Sequence, residues 1–213
     1  PVQVGAMGAA LTRGLQRHTI ACVKHFALNS IDGCRFLVDV QASPRVLHEL
    51  YLPHFRDCVA AGAGSVMSAY NRVNGEWCGQ HPQLLQGILK DRWGFRGVVV
   101  TDFIFGLRDG RRALQAGLDL EMPFPMILAG SLGPAAGHLL SAVQLARIDD
   151  AVLRQLRVQL AVPSGSYPAT LRHSAAHRAL AREAATKAIV LLRNEGPLLP
   201  LAPRGSLAVI GRL

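Results

Sequence analysis

"GVVVTDFIFGLRDG", Gly97 to Gly110, is the stretch that decides the fold. Three consecutive valines are apolar on both faces, the habit of a parallel strand covered by helices. Asp102 follows one residue later, and an unpaired carboxylate is costly to bury. A parallel strand resolves the conflict at its carboxyl end, where α/β proteins place their ligands. Working outward, the pattern recurs. Ile20–Val23 reads as a short strand ending in Lys24-His25, Ser65–Ala69 as one ending in Tyr70-Asn71, and Leu118–Leu120 as one flanked by Asp119, Glu121 and Pro123.

Between these strands the apolar spacing is helical. Pro44–Ala61 carries Val46, Leu47, Leu50, Tyr51, Cys58 and Val59, with Ser43 as N-cap, Pro44 in the first turn and a break expected at Pro53. Pro82–Asp91 puts Leu84, Leu85, Ile88 and Leu89 on one face, and Leu107–Ala116 is a helix stopped by Gly117. RVNGEWCGQ reads as a glycine-bearing loop. The class is therefore α/β, with polar strand ends sharing one rim above a dry core. After Pro123 only helices are expected: Met126–Ala146 loosely, Ile148–Val162 with Asp149 and Asp150 in its first turn, and an Ala-rich helix from the Ser174 cap to about Asn194. GPLLPLAPRG reads as a linker and LAVIG, Leu207–Gly211, as the first strand of a second domain. The expected domains are 1–125, the helical segment and linker 126–200, and the start of another domain over 201–213.

Half of the 213 residues are hydrophobic and 17% are charged, enough for a sizeable core. The excess of 23 basic over 14 acidic residues is almost all scattered arginine, without the basic–aromatic interleaving of a nucleic-acid surface, so no nucleic-acid partner is expected. No run is apolar enough for a transmembrane helix and no leader precedes an apolar block, so a cytoplasmic chain with no membrane partner is expected. The opening Pro1, without methionine, reads as part of something longer. Cys22, Cys34, Cys58 and Cys78 lack CxxC spacing; Cys22 and Cys58 read as reduced core residues.

Tempting motifs fail. His48-Glu49 has Leu52 where HExxH needs histidine, Gly62 and Gly64 lead to Met67 rather than the third glycine of GxGxxG, and no GxSxG or Walker A run exists. No metal and no cofactor are implied. For Asp102 two readings stay open, a working carboxylate or the N-cap of the next helix. Lys24 is commonly a salt-bridge partner and a lone His25 commonly structural, but facing a carboxylate across a strand rim they suit a polyhydroxyl ligand. Tyr70 is equally readable as core or as a rim hydroxyl.

With those residues in place, the chain resembles glycoside hydrolase family 3. The matching runs are VGAMGAALTRGLQ, CVKHFALNS with Arg35 downstream, HELYLPHFRDCVAAGAGSVMSAYNRVNGEWC, LLQGILKDRWGFRGVVVTDFIFG, AGLDLEMP, AREAATKAIVLLRNEGPLLPL and AVIG, in family order over nearly the whole chain. The resemblance implies a (β/α)8 TIM-type barrel, present here in part, then a helical linker and an α/β sandwich domain. It implies release of terminal β-D-glucosyl units from a small-molecule β-glucoside or oligosaccharide, with retention, through a glycosyl-enzyme on Asp102. Thr101-Asp102-Phe103 stands for the family's Ser-Asp-Trp, so Phe103 changes the stacking surface on the leaving-group side. Lys24 and His25 match residues holding sugar hydroxyls, Tyr70 and Met67 residues lining the pocket, and Arg35 a recurrent arginine. KHFALNSIDG departs from the KHFPGHG-like run of the β-N-acetylglucosaminidases and favours the glucosidase type, whose acid/base glutamate lies in the second domain, outside this chain. A β-xylosidase, a catalytically incompetent sugar-binding fragment and a nucleotide-binding open sheet are the alternatives; the missing glycine fingerprint speaks against the last. Oligomeric state is left open.

Overall fold

The computed structural model describes residues 1–132, 141–163, 165–196, 198–202 and 205–211. In chain order the elements are α1 (Val2–Gln16), β1 (Cys22–Phe26), β2 (Asp39–Val40), α2 (Pro44–Val46), α3 (Pro53–Ala60), β3 (Ser65–Ser68), β4 (Arg72–Val73), β5 (Glu76–Trp77), β6 (Val98–Val100), α4 (Gly110–Ala116), α5 (Ile127–Leu132), α6 (Ala142–Ala161) and α7 (Ala175–Ala188). Two π-wound segments, Leu47–Tyr51 and Gln83–Arg92, complete them.

The central sheet is parallel, in the order β1-β3-β6, with Cys22, Ser65 and Val98 in register at one end. Leu120 extends it by a single parallel bridge to Val100, too short for a strand of its own. Leu84, Leu85 and Leu89 pack from the π-wound helix, and Leu107 and Leu118 from either side of α4, into one cluster with Phe26, Val66 and Val99. Phe26 meets Phe55 edge-on at 5.1 Å and Trp93 at 5.9 Å. Each such side chain, fully buried, contributes about 1.5–3 kcal/mol.

Ser43 caps α2, accepting from the Val46 N–H at 3.3 Å. The helix breaks where Pro53 removes a donor, and α3 restarts there. The segment read as a loop instead contains a hairpin. Asn74 (φ 50°) and Gly75 (φ 92°) make the two-residue turn between β4 and β5, and Asn74 ties it to Ala42 by two 2.9 Å bonds. β4 also pairs with β2, giving a second sheet. α1 was not anticipated; with glycines facing Asp57 and Cys58, it packs closely on α3.

Four further expectations are corrected. Asp149 and Asp150 are not in a first turn, because α6 begins at Ala142 behind a Ser141–Gln144 capping box. Cys22 is exposed, because β1 lies at the edge of the sheet, while Cys58 is buried. LAVIG forms no strand, and the Ala-rich helix stops at Ala188. Residues 133–140 of the loosely helical stretch lie outside the described residues, as do 197, 203 and 204 of the linker.

The chain divides into two units, Pro1–Ser164 and Gly165–Leu213. The second holds α7, capped by Ser174, and none of its described residues is buried. Among the described residues no helix is long and apolar enough to cross a membrane, and no cluster of three metal-ligating side chains occurs.

Candidate active site

The carboxyl ends of β1, β3 and β6 share one rim, since Val23, Val66 and Val99 are in register across the sheet. Asp102 stands two residues beyond β6 and is 6% exposed. Its Oδ1 accepts the N–H of Phe103, the next residue, at 2.8 Å. It is not a helix cap; Asp109 does that work for α4, accepting from the Arg112 N–H at 3.0 Å. Asp102 Oδ2 lies 3.4 Å from His25 Nε2 and forms no well-aligned hydrogen bond among the described residues. Such an orphaned buried atom asks for a reason.

His25 and Tyr70 converge on that carboxylate. Burial pulls the His25 imidazole below its ordinary pKa; Asp102 opposes the shift, and Lys24 and Arg35 add to it. The ring is therefore favoured neutral, a donor–acceptor rather than a counter-ion. Tyr70 donates its hydroxyl to the Phe103 carbonyl at 2.8 Å. Burial first, then the Asp102 charge and a loose side-chain contact with that carboxylate, push this phenol up, so it stays protonated; the contact falls short of a well-formed hydrogen bond. Arg35 pairs with Asp32 and lays its guanidinium over the rings of Phe36 and Tyr70, 5.1 and 5.5 Å from their centroids.

Of the other expected site residues, Phe103 is exposed beside Asp102. Lys24 is exposed and, with His25, Asn29, Ser30 and His54, lines a hollow of about 390 Å³. Met67 packs into an apolar cluster with Val98, Val100 and Val158. The structure thus gathers Asp102, His25, Tyr70 and Arg35, with Phe103 beside them and Lys24 at the margin, whereas Met67, expected to line the pocket, packs in the apolar cluster instead.

The loop after Asp102 is tightly held. Ile104 adopts φ 65°, an outlier for a β-branched residue costing about 1–3 kcal/mol. Its N–H bonds to the Met122 carbonyl at 3.2 Å, and Arg108 donates to the Phe105 carbonyl at 2.7 Å. Gly106 passes so close to the Asp102 backbone that a side chain there would overlap it.

The carboxylates at the neighbouring strand end are spent on structure. Glu121 caps α5, accepting from the N–H groups of Ile127 and Leu128 at 2.9 and 2.8 Å. Asp119 accepts from the Val99 N–H at 2.8 Å, pairs with Lys90 at 2.7 Å and also holds Arg147. Asp150 ties Arg147 and Arg154 together along α6, each at 2.9 Å. Sequence reading missed this network, although the spacing Arg147, Asp150, Arg154 on one helix face was a usable signal. It also missed Phe36 and Phe105, whose rings stand 5.8 Å apart at the rim.

The parallel α/β rim thus presents one buried carboxylate beside a neutral imidazole and a phenol. The chain belongs to glycosyl hydrolase family 3: that family's N terminal domain matches residues 1–158. It is 35% identical over 218 residues to the thermostable beta-glucosidase B of Acetivibrio thermocellus, covering 99% of this chain and 28% of that relative. It is 37% identical over 209 residues to a probable beta-glucosidase K of Aspergillus fumigatus, covering 95% of this chain and 27% of that protein. Among solved structures, beta-glucosidase 3B from Thermotoga neapolitana in complex with alpha-D-glucose superposes with a TM-score of 0.81 at 32% identity, over 93% of this chain and 29% of that one. A beta-glucosidase from Kluyveromyces marxianus gives 0.79 at 31%, over 91% and 25%. The chain therefore spans between a quarter and a third of these relatives.

Proposed function

We propose that this chain supplies the nucleophile half of a retaining β-glucosidase site on part of a TIM-type barrel. One observation carries the reading: of the carboxylates at the strand ends Asp102, Asp119 and Glu121, only Asp102 keeps an oxygen that structure does not consume. A nucleophile needs that. In the first step Asp102 Oδ2 bonds to the anomeric carbon as the glycosidic bond breaks, and a second carboxyl protonates the departing oxygen. Water then attacks the same carbon, the ester to Asp102 breaks, and the second carboxyl takes the water's proton. In retaining enzymes the two carboxyls stand about 5–5.5 Å apart. With Asp119 and Glu121 committed, the second one is proposed to come from beyond these 213 residues, and the isolated chain to be without turnover. The Phe103 N–H fixes Oδ1, while His25 and Lys24 offer polar groups to the sugar hydroxyls. Glucose in the Thermotoga relative supports a glucosyl unit as the substrate.

The test is Asp102→Ala in the full-length product of the gene encoding this chain. Hydrolysis of an aryl β-glucoside should vanish, and added azide should restore aglycone release with formation of α-glucosyl azide. Full activity in the variant, or rescue yielding β-glucosyl azide, would overturn the assignment. Saturable glucose binding without turnover in the unaltered protein would favour a sugar-binding role.

A further inference from the structure

His25 meets Asp102 from a break in the sheet. From Val23 to Phe26, β1 takes three steps against the two that β3 takes from Val66 to Ser68. One extra residue there is a bulge, which re-aims side chains at the expense of ladder bonds. The His25 ring is loosely tied, approaching Asp102 Oδ2 at 3.4 Å. Its main chain is held from just downstream. Phe26 is fully buried against Phe55 and Trp93, and its carbonyl accepts the Ala69 N–H at 2.8 Å. The next carbonyl, that of Ala27, is taken by side chains: Asn71 Nδ2 donates to it at 3.2 Å, and the Cys78 thiol reaches it at 3.5 Å.

Asn71 is costly where it stands. It is fully buried, and its Oδ1 has no hydrogen-bond partner among the described residues. An unpaired acceptor is tolerated there together with a donor the fold uses. That donor serves the carbonyls of Ala27 and Arg72, both at 3.2 Å. The Asn71 carbonyl is itself held by the Cys78 N–H at 3.0 Å. The amide thus bridges the chain leaving the β1 bulge to the end of β3, beyond the last paired residues, Phe26 and Ser68.

We infer that Asn71 is a positioning residue for His25: its amide takes over from the sheet beyond the bulge and fixes the main chain from which the imidazole meets Asp102. The inference rests on the hydrolase reading above and adds a residue to it. Being fully buried, Asn71 reaches no sugar and acts through His25.

The experiment is a double-mutant cycle on 4-nitrophenyl β-glucoside hydrolysis by the full-length gene product, with Asn71→Leu, His25→Ala and the two combined. Leucine fills the space and removes the amide. Asn71→Leu alone should lower kcat/KM roughly 10- to 100-fold, the scale of a misplaced binding group. In the His25→Ala background the same change should cost no more than about 2-fold, because no imidazole is left to misplace. A substitution that merely loosened the core would cost the same with or without His25. If the leucine variant does not fold, as read by its guanidinium midpoint, Asn71→Ser takes its place in the cycle. Equal losses in the two backgrounds, or an unchanged kcat/KM in the single variant, overturn the inference and leave the hydrolase reading standing. If the unaltered protein cleaves no β-glucoside at all, the hydrolase reading fails and this inference falls with it.

Discussion

Lys90→Met tests the ionic anchor beneath the site. Lys90 rises from the π-wound helix with its side chain 1% exposed, 2.7 Å from Asp119 and 3.7 Å from Asp150. Burial pushes the ammonium down to about 8 from its ordinary 10.5, with Asp119 opposing and Arg147 and Arg154 assisting. A lysine depressed in the folded state destabilises the fold while charged. Between pH 8 and 10.5 the unfolded chain holds more protons than the folded one, so this group's contribution rises with pH. From pH 7 to pH 9 the gain is on the order of 1 kcal/mol. Methionine removes the titration and leaves Asp119 with Arg147 and the Val99 N–H, so its cost at pH 7 should be small. The assay is guanidinium unfolding at the two pH values, read by the fluorescence of Trp77 and Trp93, the chain's two tryptophans. Cys58, Cys78 and Tyr70, all pushed up, lose stability at alkaline pH in both proteins and cancel in the difference. The unaltered chain should gain on Lys90→Met by about 1 kcal/mol on going from pH 7 to 9. Parallel pH dependences in the two proteins would refute the buried-charge account of Lys90.

Two further outcomes follow from the same geometry. Asp119→Ala strands Lys90 and Arg147 without their shared carboxylate and should cost about 3–5 kcal/mol, read as a lowered guanidinium midpoint; a loss under about 1 kcal/mol would mean the network is solvated. Gly106→Ala brings a Cβ to 2.8 Å from the Asp102 N and 2.9 Å from its carbonyl carbon, so the loop must shift. On the proposed function, an overpacking cost of about 1–3 kcal/mol borne at the reacting carboxylate lowers kcat/KM for an aryl β-glucoside roughly 5- to 150-fold in the full-length product, and an unchanged kcat/KM would detach the loop from catalysis.

Much of this was legible in advance where chemistry is local. Val98–Val100 could only be a doubly covered strand, and Asp102 could sit only at its end. Pro53 broke its helix for the reason proline always does. Other features depend on contacts distant in sequence. Leu118–Leu120 makes one bridge rather than a strand because Asp119 turns into the network, and nothing within three residues announces Lys90 or Arg147. The Asn74-Gly75 turn was written in the local sequence, but two-residue strands carry no alternation to recognise. At the site, Asp102, His25 and Tyr70 were readable as strand ends. Phe36 was not, because it reaches the rim from the 3-10 turn at Asp32–Cys34 and not from a strand. The strand expected at LAVIG has no described partner to pair with, and apolar residues without a covering layer do not form a sheet.

The placement of Asp102 then reduces to how firmly β6 is held along its length. At its start, Arg154 of α6 donates to the carbonyls of Phe95 and Gly97 at 2.7 and 3.3 Å. At its centre, Val99 exchanges bonds with Asp119 through both side chain and backbone. At its end, the Thr101 hydroxyl accepts the Met122 N–H at 2.9 Å while the Thr101 N–H reaches the Leu120 carbonyl. Three polar ties, two of them charged, fix a three-residue strand that hydrophobic burial alone would let slide. Sliding by one residue would turn every side chain to the opposite face. The costly buried ions are thus what converts an apolar VVV run into a carboxylate aimed at one point on the rim. On this account, variants of Asp119 should reduce catalysis through the position of Asp102 before they unfold the protein.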